Sequence, residues 1–152
     1  MRLAILIIGV QNSGKTSTIK HLVNTHSDKS LNVMRAGWQS IFLDSSFKYL
    51  KLNFFCVPAS PTETKKMLSI RFPSFIPEVL IIAEQLGGAN YPDTISFLNR
   101  NNFAVATYNL SNSIGTSDWD KFDNTNKSVK LNNRTNQIIN DIKLFIKTNN
   151  II

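Results

Sequence analysis

A run of six apolar residues, Leu3-Ala4-Ile5-Leu6-Ile7-Ile8, passes directly into Gly9-Val10-Gln11-Asn12-Ser13-Gly14-Lys15-Thr16 and then into a segment of helical spacing. No other feature constrains the chain as strongly. A continuous apolar run is the pattern of a strand buried on both faces, as in a parallel sheet. The eight residues after it fit a tight turn between that strand and a helix over 15–25, which places Ile19, Leu22 and Val23 on one face. Gly9 and Gly14 permit backbone angles that turn successive N–H groups inward as an anion nest. The helix N-terminus adds its partial positive charge to the same point. The apolar run is too short for a membrane span, which needs roughly 20 residues. No small-residue cleavage site follows it, so a strand explains it better than a signal peptide.

Together the eight residues make the complete G-x-x-x-x-G-K-[ST] pattern, set between strand and helix as the motif requires. On these residues the chain resembles the P-loop nucleoside triphosphatase superfamily. That resemblance implies a three-layer α/β/α P-loop fold with a mainly parallel sheet. It also implies ATP and Mg2+ as ligands. Gly9, Gln11, Asn12, Ser13, Gly14, Lys15, Thr16 and Ser17 then form the nucleotide site. Lys15 is expected to reach the β- and γ-phosphates, Thr16 to ligate the magnesium, and Ser17 to hold the α-phosphate side.

The rest of the chain supports one α/β domain over 1–152. Strands are expected at 79–83 and 103–108, both apolar, with shorter runs at 31–34, 40–43 and 49–57 forming a short antiparallel portion. The run 49–57 alternates, so one of its faces is expected to be wet. Ser60-Pro61-Thr62-Glu63 reads as a capping box opening a helix that ends near Arg71. A short helix begins at Pro92, and an amphipathic one spans 135–148. The segment 109–133, rich in Ser, Asn, Thr and Asp, reads as a long loop, mobile without ligand or acting as a lid. Its Lys121, Lys127 and Lys130 are the side chains expected to approach the phosphates on closure. Arg134 and Arg100 are candidate charge-stabilising residues, with a solvated surface role as the plainer reading.

P-loop families place a carboxylate at the end of a second central strand, where it orients the metal. Here that residue is Glu84, expected as metal-associated and catalytic with Lys15. Asp44 is its rival at the end of another strand. Glu84-Gln85-Leu86-Gly87 is similar to a D-x-x-G motif with Glu for Asp, and that resemblance implies that Gly87 or Gly88 offers an N–H to the γ-phosphate. Guanine-specific members carry N-K-x-D after a buried strand, whereas this chain has Asn109-Leu110-Ser111-Asn112. The base-reading carboxylate is missing, so ATP is expected over GTP. Tyr108 is a candidate to stack on the base, or a core residue.

Composition excludes other classes. Cys56 is the single cysteine, which rules out a disulfide scaffold and the usual zinc sites and points to a reducing cytoplasm. His21 and His26 do not have the spacing of a common ligand pair. The net charge of +7 is uneven: residues 29–71 carry seven basic and two acidic side chains. No run of five like charges occurs, and no array of stacking aromatics is evident beside the positive charge. Nucleic-acid binding is therefore expected to be weak. Three functions stay open: a small Mg-dependent ATPase or nucleotide-controlled switch, a small-molecule or nucleotide kinase, and a non-enzymatic nucleotide-binding module acting on a protein or nucleic-acid partner.

Overall fold

A computed structural model describes residues 2–43 and 50–149. Asp44 and Tyr49 lie outside the described residues. The elements in chain order are β1 (Arg2–Ile8), α1 (Lys15–His26), β2 (Gly37–Phe42), β3 (Lys51–Val57), α2 (Pro61–Thr64), α3 (Leu68–Arg71), β4 (Val79–Glu84), α4 (Tyr91–Arg100), β5 (Phe103–Asn109) and α5 (Lys127–Thr148). The fold is α/β, with a five-stranded sheet in the order β2-β3-β4-β1-β5. All neighbouring strands are parallel except the antiparallel pair β2 and β3. β1 lies between β4 and β5, which is why its sequence is apolar at every position from Leu3 to Ile8. Its last residue, Ile8, is in register with Glu84 on one side and Asn109 on the other. Three strand ends are thereby level, and the glycine turn springs from the middle one.

Apolar clusters cover both faces of the sheet. On one, Ile5, Ile7, Ile81 and Cys56 meet Leu22 and Val23 of α1 and Ile138, Ile139 and Ile142 of α5. On the other, Leu6, Ile8, Leu80 and Ile82 meet Leu68 of α3 and Phe97 and Leu98 of α4. Burying such side chains contributes roughly 1.5–3 kcal/mol each, less the entropy of ordering them. Among the described residues no helix is long and apolar enough to cross a membrane.

Four elements depart from expectation. Residues 31–34 form no strand, because the Asn24 side chain brackets Leu31 and satisfies its N–H (2.8 Å) and carbonyl (2.9 Å) in place of a ladder. Residues 60–71 form two four-residue helices. Ser60 caps the first by accepting from Glu63 N, but Lys65 adopts a left-handed φ of 55° and ends it. The antiparallel strands are Gly37–Phe42 and Lys51–Val57, so β2 starts three residues before the position expected. α5 begins at Lys127, eight residues before the position expected, and the preceding loop covers only 110–126.

That loop is held, not loose. Its backbone is tied by Ser111 N to Trp119 O (2.9 Å) and Lys121 N to Ser113 O (3.0 Å). Arg134 and Lys130 were expected among solvated or phosphate-facing groups, yet their exposures are 0% and 5%. Lys130 Nζ donates to the carbonyls of Gly115 and Lys121. Arg134 donates to the carbonyls of Asp118 (2.5 Å) and Asp120 (2.7 Å). Long cationic side chains from α5 thus satisfy loop carbonyls that a polar, asparagine-rich sequence gives no other means to bury.

Candidate functional site

The glycine turn is shaped by two different demands on its glycines. At Gly9 a Cβ would collide with Ser13 Oγ, so the requirement is close approach. Gly14 has φ 97° and caps α1, so there the requirement is backbone conformation. Asn12 also takes a left-handed φ, 62°, an angle asparagine tolerates better than most residues. The turn is tied to the sheet end by Gly9 N donating to the carbonyl of Glu84 (3.1 Å). Beyond it lies a cavity of about 350 Å³, lined by Gln11 to Ser17, Glu63, Lys121 and Phe122. The first N–H groups of α1 have no acceptor within the helix and open at this point.

Lys15 is 5% exposed and curls back over the turn. Its Nζ donates to the carbonyls of Gly9 (2.8 Å) and Val10 (3.1 Å) and lies 3.3 Å from Glu63 Oε1. Thr16 Oγ1 donates to the carbonyl of Pro58 (2.7 Å), tying the start of α1 to the end of β3. Its oxygen lone pairs stay available to a ligand. Ser13 Oγ is buried with no partner, an uncommon state for a hydroxyl. Seven of the eight expected nucleotide-site residues, Gln11, Asn12, Ser13, Gly14, Lys15, Thr16 and Ser17, line this one cavity, with Gly9 packed beneath Ser13.

Glu84 is placed differently. It is fully buried; Oε2 accepts from Thr94 Oγ1 (2.6 Å) and Oε1 from Gln85 N (3.1 Å). Burial pushes its carboxyl above the usual range, opposed by those two hydrogen bonds and by the charge of Lys15. It belongs to the sheet end beneath the turn and does not line the cavity.

The carboxylate that does line the cavity is Glu63, which the sequence marked only as part of a capping box. Its N–H completes the cap on Ser60, while its side chain turns to Lys15. The turn after β4 positions it: Asn90 donates to Pro61 O and Thr62 Oγ1, and Gly88 packs so closely on Thr62 that a Cβ would collide. Gly88 therefore seats α2, Gly87 takes a left-handed φ of 76° in the turn, and neither lines the cavity. No local signal assigns Glu63 to Lys15, because the two meet only through the fold.

The remaining expected residues separate clearly. Lys121 lines the cavity beside Phe122. Lys127 stands 5.6 Å over the Phe122 ring, and Lys130 braces the loop from within. Arg134 is neither a surface side chain nor part of the cavity lining. Its guanidinium lies 5.4 Å from the Trp119 ring and 5.3 Å from the Phe122 ring, and donates to Thr18 Oγ1 (3.1 Å). Burial lowers its pKa to about 10, against the opposing pull of Asp118 and Asp120. Arg100 ends α4 beside Asn101, whose carbonyl is bonded by Arg2 at the start of β1. It is thus at the end of the sheet opposite the turn. Tyr108 is a core residue: it stacks on Trp119 at 4.8 Å and donates to Asp141. Burial, then Asp141, raise its pKa.

Compared with protein-family models, curated proteins and solved structures, the chain matches none of them.

Proposed function

We propose that this chain is an ATP-binding P-loop domain, three-layered α/β/α, with slow magnesium-dependent hydrolysis that sets a switch. The observation that carries the reading is the cavity itself. Seven consecutive residues of the turn line it at the N-terminus of α1, with Lys15 inside and a buried, unpartnered hydroxyl at Ser13. Clusters contributed by α1 and α5 on one sheet face and by α3 and α4 on the other support the layering.

In this reading Lys15 Nζ exchanges the carbonyls of Gly9 and Val10 for β- and γ-phosphate oxygens, a stronger, charge-assisted set of contacts. Ser13 Oγ and the N–H groups of Lys15, Thr16 and Ser17 donate to the same phosphates. The oxygen donors Thr16 and Glu63, with Glu84 behind them through water, suit Mg2+, which when bound neutralises phosphate charge. Adenine remains the favoured base, since the Asn109-Leu110-Ser111-Asn112 segment lacks the carboxylate that guanine recognition uses.

The switch is favoured over a kinase by one contact. Lys15 is ion-paired with Glu63 on the short helix α2, so a phosphate that captures Lys15 frees Glu63 and alters what holds α2. Calorimetry with ATP and Mg2+ tests the reading. Binding is expected for the native chain, and Lys15→Ala should weaken it at least a hundredfold, about 2.8 kcal/mol. Unchanged affinity in that variant would show that the turn is no phosphate site.

A further inference from the structure

The sheet face that carries α3 and α4 extends further than those helices do. Along β2, Ile41 belongs to the opposite cluster, so Trp38, Ser40 and Phe42 point to this face. Across the antiparallel pair they are in register with Phe55, Asn53 and Lys51. Trp38 is 54% exposed, Phe42 41% and Phe75 46%. Large aromatic side chains left this open in one neighbourhood mark an interaction surface.

The platform is stiff. Trp38 and Phe75 lie with their ring centroids 6.1 Å apart and planes 27° apart. Beneath them Phe55 meets Trp38 edge-on at 5.5 Å and Phe72 at 4.9 Å, and Phe72 runs on to Phe97 at 5.8 Å. The exposed rings are thus held by a chain of rings reaching into the core. They can accept a flat partner with little loss of side-chain entropy.

The charge beside the rings is positive. Lys51 is exposed and directly opposite Phe42. A second hollow, of about 340 Å³, is lined by Trp38 with Lys29, Gln39, Ser40 and Asn53. Among the described residues Lys29 bonds the neutral Gln39 there, at 2.8 Å, with no carboxylate against it. Both lysines lie in the stretch 29–71, the most basic part of the sequence.

We infer that the open face of β2 and β3 binds single-stranded nucleic acid. Bases stack on Trp38 and Phe75, Lys51 on this face and Lys29 at the adjoining edge of β2 meet the backbone phosphates, and Ser40 and Asn53 offer hydrogen bonds to base edges. Duplex fits less well, because stacking within the helix already covers the base faces that Trp38 would stack on. The surface is separate from the cavity at the start of α1 and does not depend on the ATP reading.

The test uses the full chain with a fluorescein-labelled 12-nucleotide single strand, read by anisotropy between 50 and 200 mM salt. Micromolar or tighter binding is expected at the low salt, with a log–log salt slope of about −1.4 for two phosphate contacts at roughly 0.7 each. Trp38→Ala should weaken binding about tenfold, and Lys51→Gln should make the slope shallower by about 0.7. The strand should also quench tryptophan fluorescence, and Trp38→Phe, which keeps an aromatic ring, should abolish that quenching while binding falls less. Phe75→Ala gives a second loss should Trp38→Ala fail to fold. Three results would each overturn the proposal. One is equal binding of duplex, insensitive to Trp38 and Phe75. Another is a dimer in sedimentation that Trp38→Ala dissolves, without any oligonucleotide binding. The third is Trp38-dependent binding to phosphatidylserine vesicles but not to the strand.

Discussion

Two loops of similar polarity meet at the candidate site, and they are built on opposite principles. The turn 9–16 is made locally: glycines at two positions, a strand before and a helix after decide its shape, and its residues line the cavity. The loop 110–126 is made from a distance. Its shape comes from α5, whose Lys130 and Arg134 reach back under it and take up its carbonyls. A polar loop is mobile only when nothing buried satisfies its backbone, and composition alone does not report whether something does.

The sharpest way to break that contrast is Arg134→Ala. It leaves a cavity and removes the donors to Asp118 O, Asp120 O and Thr18 Oγ1, so a loss of about 3–5 kcal/mol in chemical denaturation is expected. A loss under about 1 kcal/mol would mean that the loop does not depend on α5. Lys15→Ala is the complementary change in the local turn. Lys15 bonds the turn's own carbonyls and the Glu63 side chain on α2 but no strand residue, so its variant should lose no more than about 1–2 kcal/mol of stability while losing ATP. If stability falls as far as it does for Arg134→Ala, the turn is a structural element after all.

A titration sharpens the comparison at the sheet end. Burial raises the pKa of Glu84 above its unfolded value, so the folded state holds its proton more tightly. Its contribution is fully present below the ordinary Glu range and is lost as pH rises through the shifted value. The urea midpoint of the native chain minus that of Glu84→Gln should therefore fall across that window. A flat difference would mean that burial does not hold the Glu84 proton more tightly in the folded chain. Amide exchange gives a further check: Ser111 and Lys121, each bonded across the loop, should be protected without any ligand. The smallest effect is expected for Lys121→Ala, a few-fold loss of ATP affinity with stability unchanged, since Lys121 is exposed and only lines the rim.

The parts of this molecule written in neighbouring residues were readable. β1, the turn, α1, β4 and β5 each carry their own pattern, and the sheet places the turn between two level strand ends. What escaped reading depends on partners remote in sequence. The apolar run at 31–34 looked like a strand because nothing in it announces Asn24 as the group that satisfies Leu31. Glu63 looked like a cap because its partner Lys15 is supplied by another element. Trp38 and Phe75 showed no aromatic array until the sheet and the segment after α3 brought their rings together. Arg134 reads as a charge-stabilising or solvated cation and Lys130 as a loop lysine that approaches the phosphates, for nothing in their polar surroundings signals that they bond loop carbonyls.

Thr18 joins the turn to α5 through one oxygen. It donates to Gly14 O at 2.8 Å and accepts from Arg134 Nη1 at 3.1 Å. The glycine that shapes the anion nest and the arginine that seats the last helix therefore share one hydroxyl. Under the proposed reading, occupancy of the turn and docking of α5 are expected to be coupled, and any such coupling acts by the same factor in both directions. A ligand at the N-terminal turn would slow proteolysis near the opposite end of the chain, and loosening that end would cost affinity at the turn. Thr18→Val, which keeps the shape and removes the shared oxygen, is expected to weaken that coupling, with the Phe122 ring still packed between Gly14 and Arg134.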